Sequence, residues 1–270
     1  MQLSESTAQA SAVAILGSAF DFSSTPSGLT LEPREVETSH GPQTVHYVRG
    51  LERSAAVIFR HGLPHSLLPN QVNYRALAMS LRALGCESLM VTSSVGVMDG
   101  DLPLYRPLLL GDLLMPDNRL PDGSACTLFD APTPGQGHLV LEEGLFSQAL
   151  SDQVAALCDR HASPAARDVI FAYVGGPRTK TRAENRYWSS LGAQVNSMTL
   201  APEVVLAAEL EIPTVGLVVG HKYSSGVSTD RTDLKESLVL SRAAQERIVL
   251  DFLAEARPVP AGNRIFRFGD

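Results

Sequence analysis

The sequence lacks the features that mark metal-binding, secreted or membrane proteins. Its three cysteines, Cys86, Cys126 and Cys158, show no paired Cys or Cys/His spacing, which argues against a zinc site and against a disulfide framework. The apolar run ASAVAILGSAF has no basic residues before it and reaches Asp21 after about ten residues, too few to cross a bilayer. We therefore predict a cytoplasmic protein with no metal and no membrane-spanning segment.

Positive charge is also scarce in this sequence. The formal net charge is −7, and such a surface repels nucleic acid and anionic lipid, so neither is an expected partner. Any anion site must then be a local concentration of positive charge. Hydrophobic residues make up 44% and charged residues 19% of the 270 residues, which is typical of a globular protein long enough for one large α/β domain or two small ones.

Apolar patterning predicts alternating strands and helices. Buried strands are predicted at residues 12–17, 55–60, 88–96, 167–176 and 214–220, an exposed or edge strand at 44–50, and a short strand at 107–115. Helices are predicted at residues 73–85, 145–161, 182–192, 201–212 and 233–256.

This order predicts the fold class. The strand, loop, helix and strand over residues 55–96 form a βαβ unit, which implies parallel pairing. Residues 99–137 are rich in Pro, Gly and Asp and are expected to be mainly loop. Because no repeat or linker divides the chain, we expect one α/β domain over residues 11–270 after a loose leader at 1–10. Its central sheet should be mixed, largely parallel and flanked by helices.

Polar side chains follow the predicted strands, where ligands bind in α/β sheets. Together they offer an arginine fork, an imidazole and several hydroxyls, which suit an oxyanion. One such serine alone is more often a turn residue, and one Arg-His pair is more often a surface pair. Their recurrence at successive strand ends predicts a site for phosphate or another small oxyanion. The residues are Ser18, Arg60, His61, Ser93, Ser94 and Thr199.

Five segments carry a family resemblance. They are GSAFD, RHGLPHSLLPNQVNYRA, GPRTKTRAE, MTLAPEVVLAAE and VGLVVGHKYSSG. In order and spacing they resemble the trimeric purine nucleoside phosphorylase and methylthioadenosine phosphorylase family. The resemblance covers most of residues 12–225 and is weakest at 99–137 and in the C-terminal helix. It implies a homotrimer that cleaves a nucleoside with inorganic phosphate as co-substrate and no cofactor, giving a free base and a ribose 1-phosphate, the ribose of which can be modified at its 5′ position.

The resemblance also implies roles for individual residues. Phosphate would be bound by Ser18, Arg60, His61, Ser93, Ser94 and Thr199. The ribose would be bound by Met198, His65 and the neighbouring subunit's copy of His138, although His138 also fits an ordinary loop histidine in solvent. The base would be bound by Thr179, Lys180, His221, Lys222 and Ser224. Catalysis would depend on Ser18, Arg60, His61 and Lys222.

The sequence departs from the family where the base would bind. HKYS replaces a TDYD-like segment, so both of its carboxylates are absent. Lys180 stands where enzymes for 6-oxopurines have Glu, Lys222 stands near their Asn, and Thr179 replaces an aromatic residue. Lysine only donates hydrogen bonds, and two buried ammonium groups without counter-charge are costly. Either the ligand brings negative charge, or one lysine turns to solvent, to Glu184 or to Asp230.

Three functions remain open at this point. The first is a phosphorylase of altered base specificity, for which adenosine, inosine and methylthioadenosine are poor substrates. The second is a nucleosidase that uses water, against which the phosphate-binding residues argue. The third is a non-catalytic relative that binds a nucleotide-like anion. Ser93 and Ser94 in TSSVG add a hydroxyl beside the phosphate, which can strengthen or rearrange phosphate binding.

Overall fold

Eleven strands and five α-helices make up the described part of the computed structural model, which comprises residues 9–20, 28–132, 134–224 and 234–268. The strands are β1 (Ala12–Leu16), β2 (Thr30–Val36), β3 (Gln43–Arg49), β4 (Ala55–Phe59), β5 (Ser88–Val97), β6 (Leu108–Leu114), β7 (Gly137–Leu141), β8 (Ala166–Tyr173), β9 (Val195–Ser197), β10 (Thr214–Tyr223) and β11 (Asn263–Arg267). The helices are α1 (Tyr74–Leu84), α2 (Gln148–His161), α3 (Arg182–Ser190), α4 (Ala201–Glu209) and α5 (Leu234–Glu255).

Nine of these strands form one mixed sheet in the order β10-β6-β8-β9-β5-β1-β4-β3-β2. β5 also pairs with β10, so β10, β6, β8, β9 and β5 close into a ring. β1 pairs in parallel with both β4 and β5, and β10 runs parallel to β5. The carboxyl ends of these four strands therefore share one edge of the sheet, as predicted for a ligand site.

Two pairing expectations need correction. β4 and β5 are parallel but not neighbours, because β1 lies between them. β3 is not an edge strand, because β2 pairs with its free side in an antiparallel hairpin. The sequence of β2, TLEPREV, has a proline and three charged residues and was not predicted as a strand. Such residues suit the exposed edge that β2 occupies.

The sheet is covered on both faces, which explains why β1 and β4 are apolar at every position. Alternate residues of β1 enter different cores: Val13 and Ile15 join residues of α1 and α4, whereas Ala14 joins residues of α2 and α5. As expected, α5 packs on its own domain through its second half, where Phe252 is fully buried.

Polar side chains and a glycine cap the ends of α1 and α3. Asn73 caps α1 by accepting a hydrogen bond from the Ala76 amide at 3.0 Å, and Gly85 ends that helix with a left-handed φ of 65°. Thr181 and Glu184 form a reciprocal capping box at the start of α3. These caps place the loops before α1 and α3, and with them His61 and Lys180, at the ligand edge of the sheet.

The structure also bears on what was expected of the N-terminal leader, the cysteines and a membrane-spanning segment. Residues 1–8 of the expected leader lie outside the described residues. Ala10 is fully buried, and its amide donates to the Leu84 carbonyl at 2.8 Å. All three cysteines are free and buried. Within the described residues, none of the helices is long and apolar enough to cross a membrane.

Candidate active site

Two adjoining cavities open at the carboxyl ends of β1, β4, β5 and β10. The first, of about 330 Å³, we call the arginine cavity, and the second, of about 470 Å³, the lysine cavity. The arginine cavity is lined by all six residues predicted to bind phosphate, Ser18, Arg60, His61, Ser93, Ser94 and Thr199, and by His65 and Met198. The lysine cavity is lined by all five residues predicted to bind the base, Thr179, Lys180, His221, Lys222 and Ser224.

Arg60 is the buried cation of the arginine cavity, and Glu203 in the first turn of α4 holds it. Both side chains are fully buried, and the guanidinium meets the carboxylate with two parallel bonds, Nε to Oε1 and Nη2 to Oε2, the second 2.5 Å long. Nη1 donates to the Thr92 carbonyl at 2.9 Å. Burial alone would lower the pKa of Arg60, but the Glu203 carboxylate more than offsets this and raises it. Three of the five N–H groups of the guanidinium are thus engaged, and the other two have no partner among the described residues.

His61 is neutral near pH 7. Burial, reinforced by the Arg60 charge, lowers its pKa to about 4. Its Nδ1 lies 2.9 Å from the Leu67 carbonyl, which can only accept, so the proton is on Nδ1 and Nε2 is an acceptor. The ring also stacks on His65 with centroids 4.7 Å apart. His61 therefore presents a fixed acceptor beside the guanidinium donors.

The end of β1 approaches β5 closely behind this cavity. The Thr92 hydroxyl accepts from the Gly17 amide at 3.0 Å and donates to the Ile15 carbonyl at 3.2 Å. A Cβ at Gly17 would lie 3.3 Å from Nη1 of Arg60, tighter than ordinary contact. Glycine at this position lets the strand end pack against the guanidinium, and it leaves the next residue, Ser18, exposed at the cavity mouth.

Hydroxyl groups complete the arginine cavity. Ser93 and Thr199 are buried, and the Ser93 Oγ lies 3.1 Å from the Ser197 Oγ. Thr199 precedes Leu200, which has a left-handed φ of 78° at the start of α4. That backbone state is strained for a branched side chain. It marks the turn where the chain passes from the cavity wall into the helix that carries Glu203.

The two cavities share one wall. Ser94, Ser197 and Met198 line both of them. A Cβ at Gly176 would lie 2.7 Å from the Met198 sulfur, so the chain after β8 packs directly on this methionine. A molecule that reached from the guanidinium to the lysines would cross Met198, the position predicted for the ribose.

A β-bulge shapes the lysine cavity. Gly220 pairs with Val95 and Lys222 pairs with Gly96, so His221 is an extra residue in β10. The bulge places Lys222 opposite Gly96 on the cavity wall. Lys222 is exposed and Lys180 is half-buried, and both line the cavity.

Burial perturbs the charge of Lys180. Its pKa is lowered to about 8, mainly by burial; the Glu184 carboxylate opposes this shift and the nearby Lys222 adds to it. Glu184 does not form an ion pair with Lys180, because Arg178 holds its carboxylate at 2.7 Å and the Thr181 amide donates to it at 2.7 Å. Of the alternatives considered for the lysines, Glu184 is thus engaged elsewhere, and Asp230 lies outside the described residues.

Two asparagines support the wall of the lysine cavity. The Asn185 amide donates to the Ser224 carbonyl at 3.0 Å, and the Asn196 amide donates to Asn185 Oδ1 at 3.2 Å. Both side chains are buried. This chain of bonds ties α3, β9 and the end of β10 together. Among the described lining residues, Lys180 and Lys222 are the only charged ones at neutral pH.

His221 lies against Tyr105 on the far side of the bulge. Their rings stack with centroids 5.7 Å apart, and the Tyr105 hydroxyl donates to the His221 carbonyl at 3.0 Å. Burial lowers the pKa of His221 below its ordinary value. The imidazole is therefore a neutral, partly buried wall of the lysine cavity.

His138 is not among the residues that line either cavity in its own chain. It lies on β7, is exposed, and packs against Phe266 of the neighbouring strand β11 at 5.3 Å between ring centroids. Phe266 and Phe268 are themselves exposed, at 41% and 63%. The contribution of His138 to a neighbouring subunit's site remains a prediction.

Sequence reasoning did not identify several residues that shape this site. Glu203 had one available signal, an acid in the otherwise apolar start of a helix beside the predicted phosphate residues. The amides at 185 and 196 had none, because only the folded chain brings them to Ser224. Within the described residues, no three His, Cys, Asp or Glu side chains cluster as a metal site would require.

Comparison with known proteins supports the fold and the family resemblance. A family model described as "Phosphorylase superfamily" matches residues 14–254. The chain is 30% identical over 246 residues to a probable S-methyl-5′-thioinosine phosphorylase of Methanopyrus kandleri, covering 88% of this chain and 93% of the relative. It is 29% identical over 266 residues to a probable 6-oxopurine nucleoside phosphorylase of Thermococcus kodakarensis, covering 93% and 94%.

A solved structure agrees with the fold. Methylthioadenosine phosphorylase from Schistosoma mansoni, in complex with tubercidin, superimposes with a TM-score of 0.74 at 23% identity, covering 92% of this chain and 93% of that one. A sequence identity of 23% supports the fold alone. The family model and the two relatives named above each cover most of the chain. The chain therefore belongs to the phosphorylase superfamily and, within it, to the nucleoside phosphorylases, which are pentosyltransferases.

Proposed function

We propose that this protein cleaves nucleosides with inorganic phosphate and that its base specificity differs from adenine and from neutral 6-oxopurines such as hypoxanthine. One observation carries the proposal: the arginine cavity adjoins a cavity of about 470 Å³ in which the charged side chains, among the described residues, are two lysines. Two of the relatives reported above are named as probable phosphorylases of S-methyl-5′-thioinosine and of 6-oxopurine nucleosides. The bases of those nucleosides are neutral, so they bring no negative charge to balance the two ammonium groups.

The arginine cavity supplies the groups that phosphate needs. The two free N–H groups of Arg60 and the hydroxyls of Ser18, Ser93, Ser94 and Thr199 would donate to phosphate oxygens. The acceptor at His61 Nε2 would take the hydrogen bond of a protonated phosphate oxygen. Phosphate bound by these groups would lie next to Met198, which lines both cavities. A sugar that contacts Met198 would then be within reach of a phosphate oxygen.

In the proposed reaction, one bond forms between phosphate and the sugar, and the bond between the sugar and the base breaks. A phosphate oxygen bonds to the anomeric carbon while the bond from that carbon to the base nitrogen breaks, and the electron pair stays on the base. The sugar gains positive charge in the transition state, and bound phosphate stabilises it. An ammonium proton from Lys222 moves to a base ring nitrogen, and Lys222 regains a proton from water after release. The products are a free base and a ribose 1-phosphate.

A second copy of the chain is also part of the proposal. His138 would close the sugar end of a neighbouring subunit's site in a homotrimer. The exposed Phe266 and Phe268 beside His138 support this, because an exposed apolar patch next to a functional side chain is typical of an interface.

Product analysis with and without phosphate tests the function. A panel of purine and pyrimidine nucleosides is incubated with the enzyme in phosphate and in phosphate-free buffer. Ribose 1-phosphate should form only with phosphate, and Arg60→Lys should lose most of the activity because lysine cannot replace the planar fork. Free ribose made equally without phosphate would establish a nucleosidase. Phosphate binding without turnover of any nucleoside would establish a non-catalytic relative, and efficient phosphorolysis of methylthioadenosine would refute the altered specificity.

A further inference from the structure

The lysine cavity has a charge that no described neighbour balances. Lys180 approaches from the segment before α3 and Lys222 from β10, and neither has a carboxylate within ion-pair distance among the described residues. The other titratable groups nearby are His221, whose pKa is lowered by burial, and Glu184, which Arg178 holds. The described lining of the cavity thus carries a net positive charge.

The hydrogen-bonding groups on this wall are also partly engaged. Asn185 donates to the Ser224 carbonyl and accepts from Asn196, so its amide is fixed by the protein. The two ammonium groups remain as the strong donors, and an ammonium has no acceptor to offer. A base whose edge presents N–H groups would leave those N–H groups facing cations, which is unfavourable.

An anion in the cavity would relieve two costs at once. It would offset the repulsion between the two ammonium groups, and its attraction would compensate for the hydration that Lys180 loses by burial. The depressed pKa of Lys180, about 8, has the same physical origin. Charge complementarity of this kind determines which ligand a cavity of given size accepts.

We propose, on the basis of the phosphorolytic function above, that the preferred substrates are nucleosides whose base is itself negatively charged at neutral pH and presents acceptors toward Lys180 and Lys222. A 2,6-dioxopurine that has lost a ring proton is one such base. Its departure is the difficult step, because the electron pair of the broken bond adds to charge already present. The proton from Lys222 cancels that added charge, and Lys180 balances the charge that the base brought.

A matched substrate pair tests this. Xanthosine and inosine share the sugar and the purine ring, but xanthosine readily loses a ring proton near neutral pH. With phosphate at pH 7.5, kcat/KM for xanthosine should exceed that for inosine by at least about tenfold, the value of one charge-assisted hydrogen bond. As the pH falls and xanthosine becomes neutral, the preference should disappear. A preference for inosine at pH 7.5 would overturn the proposal and leave phosphorolysis itself intact.

Variants at position 180 test whether the charge of Lys180, and not its size, determines the substrate preference. Lys180→Met keeps much of the side-chain length and should reduce the xanthosine to inosine ratio at least about tenfold. Arg186→Gln, which removes an exposed cation from α3 outside the cavity, should leave the ratio unchanged. Equal ratios in wild type and Lys180→Met would refute the role of the charge.

Direct binding separates failure of this inference from failure of the proposed function. Calorimetric titration of xanthine and of hypoxanthine into the wild-type protein, with phosphate present, needs no turnover. Tighter binding of xanthine, reduced in Lys180→Met, supports anion selection even in a protein that cleaves no nucleoside. Equal or tighter binding of hypoxanthine overturns it, whether or not phosphorolysis is observed.

Discussion

Arg60 and Glu203 form a fully buried, bidentate ion pair between the end of β4 and the start of α4. The carboxylate aims the guanidinium at the arginine cavity and neutralises its charge while the cavity holds no anion. Bound phosphate then meets an arginine whose geometry is already fixed, so little ordering remains to be done at the moment of binding.

Glu203→Gln should lower the free energy of unfolding by about 3 kcal/mol, because it leaves a buried guanidinium without its counter-charge. Phosphate would supply the missing negative charge, so phosphate should raise the melting temperature of the variant more than that of the wild type. Melting curves with increasing phosphate measure both effects. An equal phosphate shift in the two proteins would show that Glu203 does not act through the charge of Arg60.

His61 should make part of the protein's stability depend on pH. Its pKa is about 4 in the folded protein against 6.5 for an ordinary histidine, so the unfolded chain binds the proton more readily between these values. The contribution to stability is complete above pH 6.5 and is lost as the pH falls toward 4. His61→Gln should therefore lose less stability than the wild type between pH 6.5 and 4 in urea unfolding, with parallel behaviour from pH 7 to 8. Parallel curves throughout would contradict the shift.

Lys180 should lower the stability of the ligand-free protein. Its pKa is about 8 when folded against the ordinary 10.5, so the native state is penalised below pH 8 and the penalty fades as the pH rises to 10.5. Lys180→Met should melt at a higher temperature than the wild type at pH 7, with a difference that shrinks toward pH 10.5. Arg186→Gln, at an exposed site, provides the control. A variant that melts at a lower temperature at pH 7 would contradict the unpaired charge.

Gly96→Ala should weaken nucleoside binding without affecting phosphate. A Cβ at position 96 would lie 2.2 Å from the Ser224 Oγ and 3.3 Å from Asn196 Oδ1, so the hydroxyl would have to move within the lysine cavity. We expect KM for the nucleoside to rise several-fold and KM for phosphate to stay constant. Gly100→Ala, where an added Cβ meets nothing within 4 Å, is the matched control. A rise in the phosphate KM would mean that the two cavities respond together.

Complementation between two variants tests whether His138 contributes to the active site of a neighbouring subunit. If His138 completes a neighbouring subunit's site, His138→Ala and Arg60→Ala should each impair every site of a uniform trimer. Co-expression of the two variants creates mixed trimers in which some sites contain both intact residues, so activity should exceed that of either variant alone. Light scattering gives the oligomeric state of each preparation. Activity no higher than that of the separate variants would place His138 outside the site.

The sequence was sufficient to predict the strand ends and their side chains. Buried strands are short continuous apolar runs, and parallel pairing brings their carboxyl ends to one edge, so Ser18, Arg60 and His61 could be grouped without a structure. Thr199 could be grouped with them from its place before a predicted helix. β2 could not be predicted in this way, because its charges and proline mimic a loop. β9 has only three residues, too few for a pattern.

Side-chain partners were harder to predict than positions. That Glu203 holds Arg60, or that Arg178 engages Glu184, depends on distances between elements far apart in the chain, which composition and periodicity do not contain. The same limit applied to Lys180: the sequence indicated that it was out of place in its family, but only the fold shows it half-buried beside Lys222.

The extra residue at position 221 sets which side chain lies on the cavity wall. In a regular strand, His221 would stand opposite Gly96 and Lys222 would face the other side of the sheet. The register of the strand, and not only the type of its residues, therefore decides whether an ammonium or an imidazole stands opposite Gly96.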